Sequence, residues 1–376
     1  MTDIFDTSLA DAQATRVNPI APEHFDIARY RDYEASLLER CHQFWQGRSG
    51  VLVYRRMRVA EVFAADSRSK ERSLAWQLGA LDASMRYKAD VPNFLEPWHG
   101  LGTVASAFGF DYVWEPGQAP AVDGKFANVM QLLDADIRPV AETSIGRYTL
   151  EMTEYFLEQT RGQLPMSYCD VQSPLNTLSN IIQSDQFYID FYEHPDEMRR
   201  AFNVASLLLS GFLCRQREMI GDALASPGHG FSSSRAFCGL GMSDDSVTMM
   251  PPDLYGEYCI PAMVQTGSAF GGSVFHSCGT WSPRREQIVR IPDLRMADGA
   301  FSLATDPGAN DPAGYADTFA DTGVVLNARI VGSPEVVEQK VRQLWKPGMK
   351  LIVVTYCETP QEQAEVYDLI HRICVD

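Results

Sequence analysis

Val324-Val-Leu-Asn327-Ala-Arg329, the segment Pro334 to Trp345, and Leu351-Ile-Val-Val-Thr-Tyr-Cys357 follow one another as strand, helix and strand. The two outer runs are short, apolar and β-branched, and the middle run has apolar residues at helical spacing behind a proline suited to a first turn. Working outward, Ser273 to Phe275 and Asp293 to Asp298 read as two earlier strands, and Pro360 to Cys374 as a final helix. Strands alternating with helices of about 10 to 15 residues are the pattern of βαβ units and a parallel sheet. The chain has 376 residues, enough for two ordinary domains or for one (β/α)8 TIM barrel, which takes ~250 residues and grows by insertion. No phosphate-cradling glycine loop precedes a helix, which weighs against an open nucleotide-binding sheet. The expected fold class is therefore α/β, a (β/α)8 TIM barrel with an N-terminal α/β extension.

Upstream the pattern is less regular. Residues 1 to 24 are polar and uneven and read as an arm over the body. A helix is expected from Asp26 to Trp45, a strand at Val51 to Tyr54 and a helix from Ser73 to Tyr87. Residues 1–90 are thus assigned to an N-terminal arm and helical extension packed on the barrel, and 91–376 to the barrel itself, the two forming one structural unit. Between Val91 and Gly109 two prolines, several glycines and the group Glu96-Pro-Trp98-His99 suggest a shaped loop at a pocket wall, or a rigid turn capped by aromatics. Further on, Ile145 to Gln159 reads as a helix and Leu164 to Leu175 as a strand whose polar end holds Asp170 and Gln172. Helices are expected again at Thr177 to Ser184 and Pro195 to Ile220.

Composition narrows the function. Hydrophobic residues make up 45% and charged residues 22% of the chain, as in an ordinary folded protein with a sizeable core. A net charge of −17 argues against nucleic acid as a partner, because phosphate binding needs a basic footprint. It also disfavours polyanionic substrates, unless a local arginine pocket overrides the global field. Met1-Thr-Asp-Ile-Phe-Asp-Thr is not a basic-then-apolar leader, and no run approaches the ~18 apolar residues of a membrane span, so the expected location is cytoplasmic, with no membrane partner. Eight cysteines are scattered without the spacing of a disulfide scaffold and read as thiols. Self-association as a homo-oligomer would use an exposed apolar helix face.

Polar residues gather where the strands should end: Asp170, Asp245, His276, Asp298, Asn327 and Cys357. In a barrel those ends converge on one face. In Gly272-Ser-Val-Phe-His276-Ser-Cys278-Gly279-Thr280-Trp281, strand alternation sends His276 and Cys278 to the same side. One imidazole with the thiols of Cys278 and Cys357 suits Zn2+, and three soft ligands without a fourth resemble a catalytic site with an open position. The plainer reading is a core histidine beside buried cysteines.

The order of these motifs resembles the zinc site of methylcobamide:thiol methyltransferases, of the coenzyme M type, in the uroporphyrinogen decarboxylase superfamily. The resemblance rests on His276-x-Cys278-Gly279, on Cys357-Glu-Thr-Pro360 before a terminal helix, on Asp170-Val-Gln172-Ser-Pro174-Leu, and on Asp244-Asp245 followed by Pro251-Pro-Asp-Leu-Tyr and Ile260-Pro261. It implies zinc at the C-terminal mouth of the barrel, held by His276, Cys278 and Cys357. It further implies transfer of a methyl group between a methylcobamide, supplied by a small corrinoid protein, and a thiol or other small acceptor such as coenzyme M or a folate. Asp245 and Asn327 are then candidates to orient the acceptor, with Glu96, Trp98, His99, Asp170 and Gln172 in the substrate-binding wall. Arg55-Arg56-Met-Arg58 does not match the arginine-rich segment by which the decarboxylases of the superfamily grip propionates. A metal-free decarboxylase and a non-catalytic barrel with a structural zinc are the alternatives.

Overall fold

Six apolar runs line up as one parallel sheet in the computed structural model, which describes residues 13–115 and 119–375. The first twelve residues of the expected arm lie outside the described residues. In chain order the strands are β1 (Gly50–Arg55), β2 (Tyr112–Val113), β3 (Ala121–Val122), β4 (Leu240–Ser243), β5 (Ser273–His276), β6 (Leu294–Ala300), β7 (Val325–Ile330) and β8 (Lys350–Thr355). The large sheet has the order β1-β8-β7-β6-β5-β4, and β2 and β3 make a separate antiparallel pair. Every residue of β7 and β8 is buried, as expected of parallel strands covered on both faces.

Side-chain alternation divides the core in two. Leu52, Tyr54, Val274, Met296, Val325, Ile352 and Val354 pack together on one face of the sheet. Val51, Val53, Phe275, Ala297, Leu326, Leu351 and Val353, each one residue away, pack on the other face with the helices. Between β1 and β4 the remaining arc is spanned by isolated bridges in place of ladders. Asp90 N donates to Val53 O at 2.8 Å, Leu95 N to Pro165 O at 2.8 Å, Met166 N to Ala223 O at 2.8 Å and Gly241 N to Pro227 O at 2.9 Å. The expected strand at 164–175 is reduced to isolated bridges at Met166 and Gln172. Pro165 and Pro174 lack the N–H that a longer ladder requires.

The helices follow their capping residues. The first runs Ile27–Gln46, with Asp26 accepting from Arg29 N, and the last Pro360–Ile373, with Thr359 accepting from Glu362 N. The helix expected to begin at Thr177 begins instead at Pro174, because Ser173 caps it and proline is preorganised for the first turn. These two terminal helices are pinned to β1 through one carboxylate. Asp90 accepts from Val53 N (2.8 Å), Tyr367 Oη (2.6 Å) and His371 Nε2 (2.9 Å), and pairs with Arg40 Nε at 3.1 Å. β1 itself pairs along its length with β8, so the sheet draws its first strand from residues 1–90, the segment read as an extension. Among the described residues no helix is long and apolar enough to cross a membrane.

Lys350 opens β8 at the opposite end of the strand from Cys357. Its ammonium is buried, donates to Trp45 O at 2.7 Å and lies over the Phe44 and Trp45 rings. Burial lowers its pKa from 10.5 to about 8. The unfolded chain then holds more protons than the folded one between those values, so this group adds stability as pH rises from about 8 to 10.5. The expected outcome is that the parent gains stability relative to Lys350→Met as pH rises through that window, read from urea unfolding at stepped pH.

Candidate functional site

Parallel register assembles the site. Ser243 pairs with His276, His276 with Asp298, and Asp298 with Asn327, which makes one row across β4, β5, β6 and β7. This polar row stands two residues beyond Val274, Met296 and Val325, one layer above the apolar face that those residues form. Asp298 and Asn327, expected at strand ends, lie inside their strands and are fully buried.

Asp298 is the centre of the row. Its Oδ2 accepts from His276 Nδ1 at 2.5 Å and from Arg329 Nε at 3.0 Å, and its Oδ1 accepts from Asn327 Nδ2 at 2.5 Å. Asn327 Oδ1 in turn accepts from Ser232 Oγ at 2.6 Å. Burial alone would raise the Asp298 pKa, but Arg329 and His276 outweigh it and hold the carboxyl below its ordinary range. An ionised Asp298 fixes the proton of His276 on Nδ1 and turns Nε2 toward the Cys278 sulfur, 3.3 Å away. Burial disfavours a second proton on His276, yet Cys278 and Asp298 together raise its pKa well above the usual value.

Asp245 completes the group. Its Oδ1 accepts from Cys278 N at 2.6 Å and its Oδ2 from Asn176 Nδ2 at 3.0 Å. Ligand atoms of Asp245, His276 and Cys278 lie within 4.8 Å of one another. Nitrogen, sulfur and oxygen donors at this separation fit a borderline-soft divalent ion, and the Asp298–His276 bond is of the kind that holds a ligating imidazole in orientation and tautomer. The Cys357 thiol is not a member of this group. It follows β8, with β6 and β7 between it and the His276 strand, and burial pushes its pKa up to about 12. Arg55 Nε holds its carbonyl oxygen at 2.9 Å.

His276, Cys278 and Asp245 open into a cavity of about 730 Å³. Trp98 and Asp170 line it, together with His229, Arg56, Arg58 and Arg329. Phe63, Leu101 and Leu303 supply apolar wall. His229 is held between two carboxylates, with Nδ1 2.5 Å from Glu96 Oε2 and Nε2 3.3 Å from Asp170 Oδ2, and Trp98 Nε1 donates to the same Asp170 oxygen at 3.0 Å. Burial raises the pKa of Asp170, whereas at Glu96 His229, Arg56 and Arg58 outweigh burial and lower it. One acid is therefore kept ionised and the other is the readier proton acceptor. Glu96 meets the cavity through His229.

Two expected wall residues are elsewhere. His99 Nδ1 lies 3.0 Å from Ser67 O, its ring is 4.2 Å from that of Tyr148, and burial lowers its pKa. Gln172, bridged to Ser243, accepts from Asn180 Nδ2 at 3.1 Å. Neither lines the cavity, and Asn327 acts on it only through Asp298 and Ser232. His229 and Arg329 were the residues to find. A histidine between glycines in Pro227-Gly-His229-Gly, and an arginine two places after Asn327 on one strand, are the signals in the sequence.

Removing Asp298 leaves the Arg329 guanidinium buried without its counter-charge, so Asp298→Ala should lose about 3–5 kcal/mol of stability. Urea unfolding reads the loss, and Asn327→Ala, which deletes a neutral partner, should lose less.

Comparison with known proteins places these features. The family model described as uroporphyrinogen decarboxylase (URO-D) matches residues 99–365. Among solved structures, a methyltransferase from Methanosarcina mazei superposes with a TM-score of 0.57 at 12% identity, covering 97% of each chain. At that identity the likeness is one of fold. No curated protein sequence matches the chain.

Proposed function

The chain belongs to the uroporphyrinogen decarboxylase family, and we propose that within it this protein is a zinc-dependent, corrinoid-linked methyltransferase. It moves a methyl group between a methylcobamide, carried on a small corrinoid protein, and a thiol or similar small acceptor in the cytoplasm. The observation that carries this reading is the meeting of His276, Cys278 and Asp245 at the wall of the large cavity. The match in fold to a methyltransferase over nearly the whole chain supports it.

In this reading His276 Nε2, Cys278 Sγ and an Asp245 oxygen hold the metal, and Cys357 is the candidate to join them. Bound zinc supplies Lewis acidity that lowers the pKa of an acceptor thiol, ordinarily ~8.5, into the working range. Asp298 orients His276 and sets its tautomer. Asn327 and Arg329 keep Asp298 ionised and in place. Asp170, with burial raising its pKa and His229 beside it, receives the proton that the acceptor gives up. Trp98, Phe63 and Leu303 give the cavity apolar surface that excludes water from the reacting sulfur.

Arg56 and Arg58 in the cavity wall favour a second reading, a metal-free decarboxylase acting on a carboxylated substrate. The metal separates the two. Elemental mass spectrometry of anaerobically purified protein should find about one zinc per chain, lost in Cys278→Ala and in His276→Ala while circular dichroism stays native. Cys357→Ala reports whether the third sulfur takes part. Methylcobalamin should then lose its methyl group to a thiol only in the zinc-bearing protein. Zinc absent from the parent even after reconstitution would sink the methyltransferase reading in favour of the decarboxylase.

A further inference from the structure

Cys278 stands where the sheet alone does not hold it. β5 ends at His276, and Cys278, two residues further on, is exposed. Its N–H, donated to Asp245 Oδ1 at 2.6 Å, ties it to the turn after β4. For the sulfur to stay 3.3 Å from His276 Nε2, the outgoing side of the loop needs an anchor as well.

Trp281 is that anchor, with only Gly279 and Thr280 between it and Cys278. Its ring is fully buried, edge-on to Phe275 and Tyr315 with centroids 5.3 and 5.0 Å away, and Nε1 donates to Asp298 O at 3.1 Å. Its backbone N–H is donated to Asn310 Oδ1 at 2.8 Å. Asn310 is 2% exposed and lies in the segment after β6. Its own N and Nδ2 fasten it to that strand, both donating to Ala300 O, at 2.8 and 3.1 Å. The same Oδ1 also accepts from Tyr315 Oη at 2.7 Å and from Ser282 Oγ at 3.2 Å. Three donors converging on one enclosed oxygen fix a loop more closely than apolar packing would. Gly299 permits the approach, since a Cβ there would stand 2.9 Å from both Asn310 Nδ2 and Trp281 Nε1.

We infer that Asn310 is a positioning residue for Cys278: by holding Trp281 against β6, it sets where the loop carries the sulfur. The loop is then held at both ends, by His276 within β5 and by Trp281 on β6, and the short span between them leaves the thiol little room to stray. The consequence for metal affinity rests on the proposed zinc site; the anchoring itself rests on the loop geometry alone.

Zinc competition against a chromophoric chelator, with the full chain under native conditions, reads that consequence. Loss of stability alone does not alter the affinity of the molecules that remain folded. Asn310→Ala should bind zinc about 10–100-fold more weakly than the parent, the range for groups that orient a metal ligand. Asn310→Asp keeps the acceptor for Trp281 N and should recover most of the loss. With Co2+ in place of zinc, the thiolate-to-metal charge-transfer band should weaken in Asn310→Ala and return in Asn310→Asp. If Asn310→Ala fails to fold, Trp281→Phe keeps the ring and the backbone bond, loses only the Nε1 donor, and should weaken zinc several-fold. Unchanged zinc affinity in folded Asn310→Ala, or in Trp281→Phe where the former does not fold, would overturn the positioning role, as would an equal loss in Asn310→Asp. A parent without zinc even after reconstitution would overturn the methyltransferase reading and leave the anchor to be judged in the metal-free chain, by deuterium exchange at the Cys278 amide. Faster exchange in Asn310→Ala, restored in Asn310→Asp, supports it; one rate in all three proteins overturns it.

Discussion

A single buried carboxylate, Asp298, sets the geometry on which the rest of the site depends. Four side-chain groups meet there: an imidazole, an amide, a guanidinium and the carboxylate itself, with every contact at 3.0 Å or less. A buried ion pair is seldom a net gain in stability, since desolvation offsets much of the attraction. Its value here is specificity. The pair fixes which nitrogen of His276 carries the proton and which way the other nitrogen faces, and the sheet register fixes where both stand. Because β5 and β6 contribute one member each and β7 contributes two, the site is as rigid as the sheet.

Much of the fold was legible because its signals are local. Apolar runs such as Lys350–Thr355 and Val325–Ile330 admit few other readings, and proline or Ser/Thr caps mark the helix starts. Residues 164–175 were harder, since an apolar run interrupted by Pro165 and Pro174 has the composition of a strand and the hydrogen-bonding capacity of a loop. The site divides in the same way. Cys278 lies two residues past His276, the last residue of β5, and period-two alternation carried past the strand end brings the two side chains together. Asp245 comes from the turn after β4, and its nearness to them is a tertiary fact. His229 and Arg329 take their meaning from partners far away in the chain, Glu96 and Asp298, and no spacing rule reaches that far. His99 misled for the opposite reason. Three residues from Glu96 and next to Trp98, it is turned away to Ser67 and an aromatic cluster, because an irregular loop does not alternate as a strand does.

The cavity joins two kinds of electrostatics. One wall holds the soft donors, His276 and Cys278, with Asp245. Another holds the His229 clamp, where two carboxylates differ in the direction of their pKa shifts, and Arg56, Arg58 and Arg329 also line the cavity. Such separation of charge within about 730 Å³ allows a polar small molecule to be held by one end while its other end is kept dry. The apolar layer of Val274, Met296, Val325 and Ile352, two residues back along the strands, is buried beneath the row.

The pairing of Gly50 with Lys350, and of each following residue of β1 with β8, joins segments three hundred positions apart. On a ribosome β1 emerges long before its partner exists. Until Lys350–Thr355 has been made, the apolar strand Gly50–Arg55 carries an open edge, of the kind that invites pairing with other chains. The carboxylate of Asp90 covers an N–H on the strand's other edge, that of Val53, and Tyr367 and His371 reach that carboxylate only at the end. Native assembly of this sheet is therefore a late, non-local event, and the half-made chain has more to gain from a chaperone than the finished one.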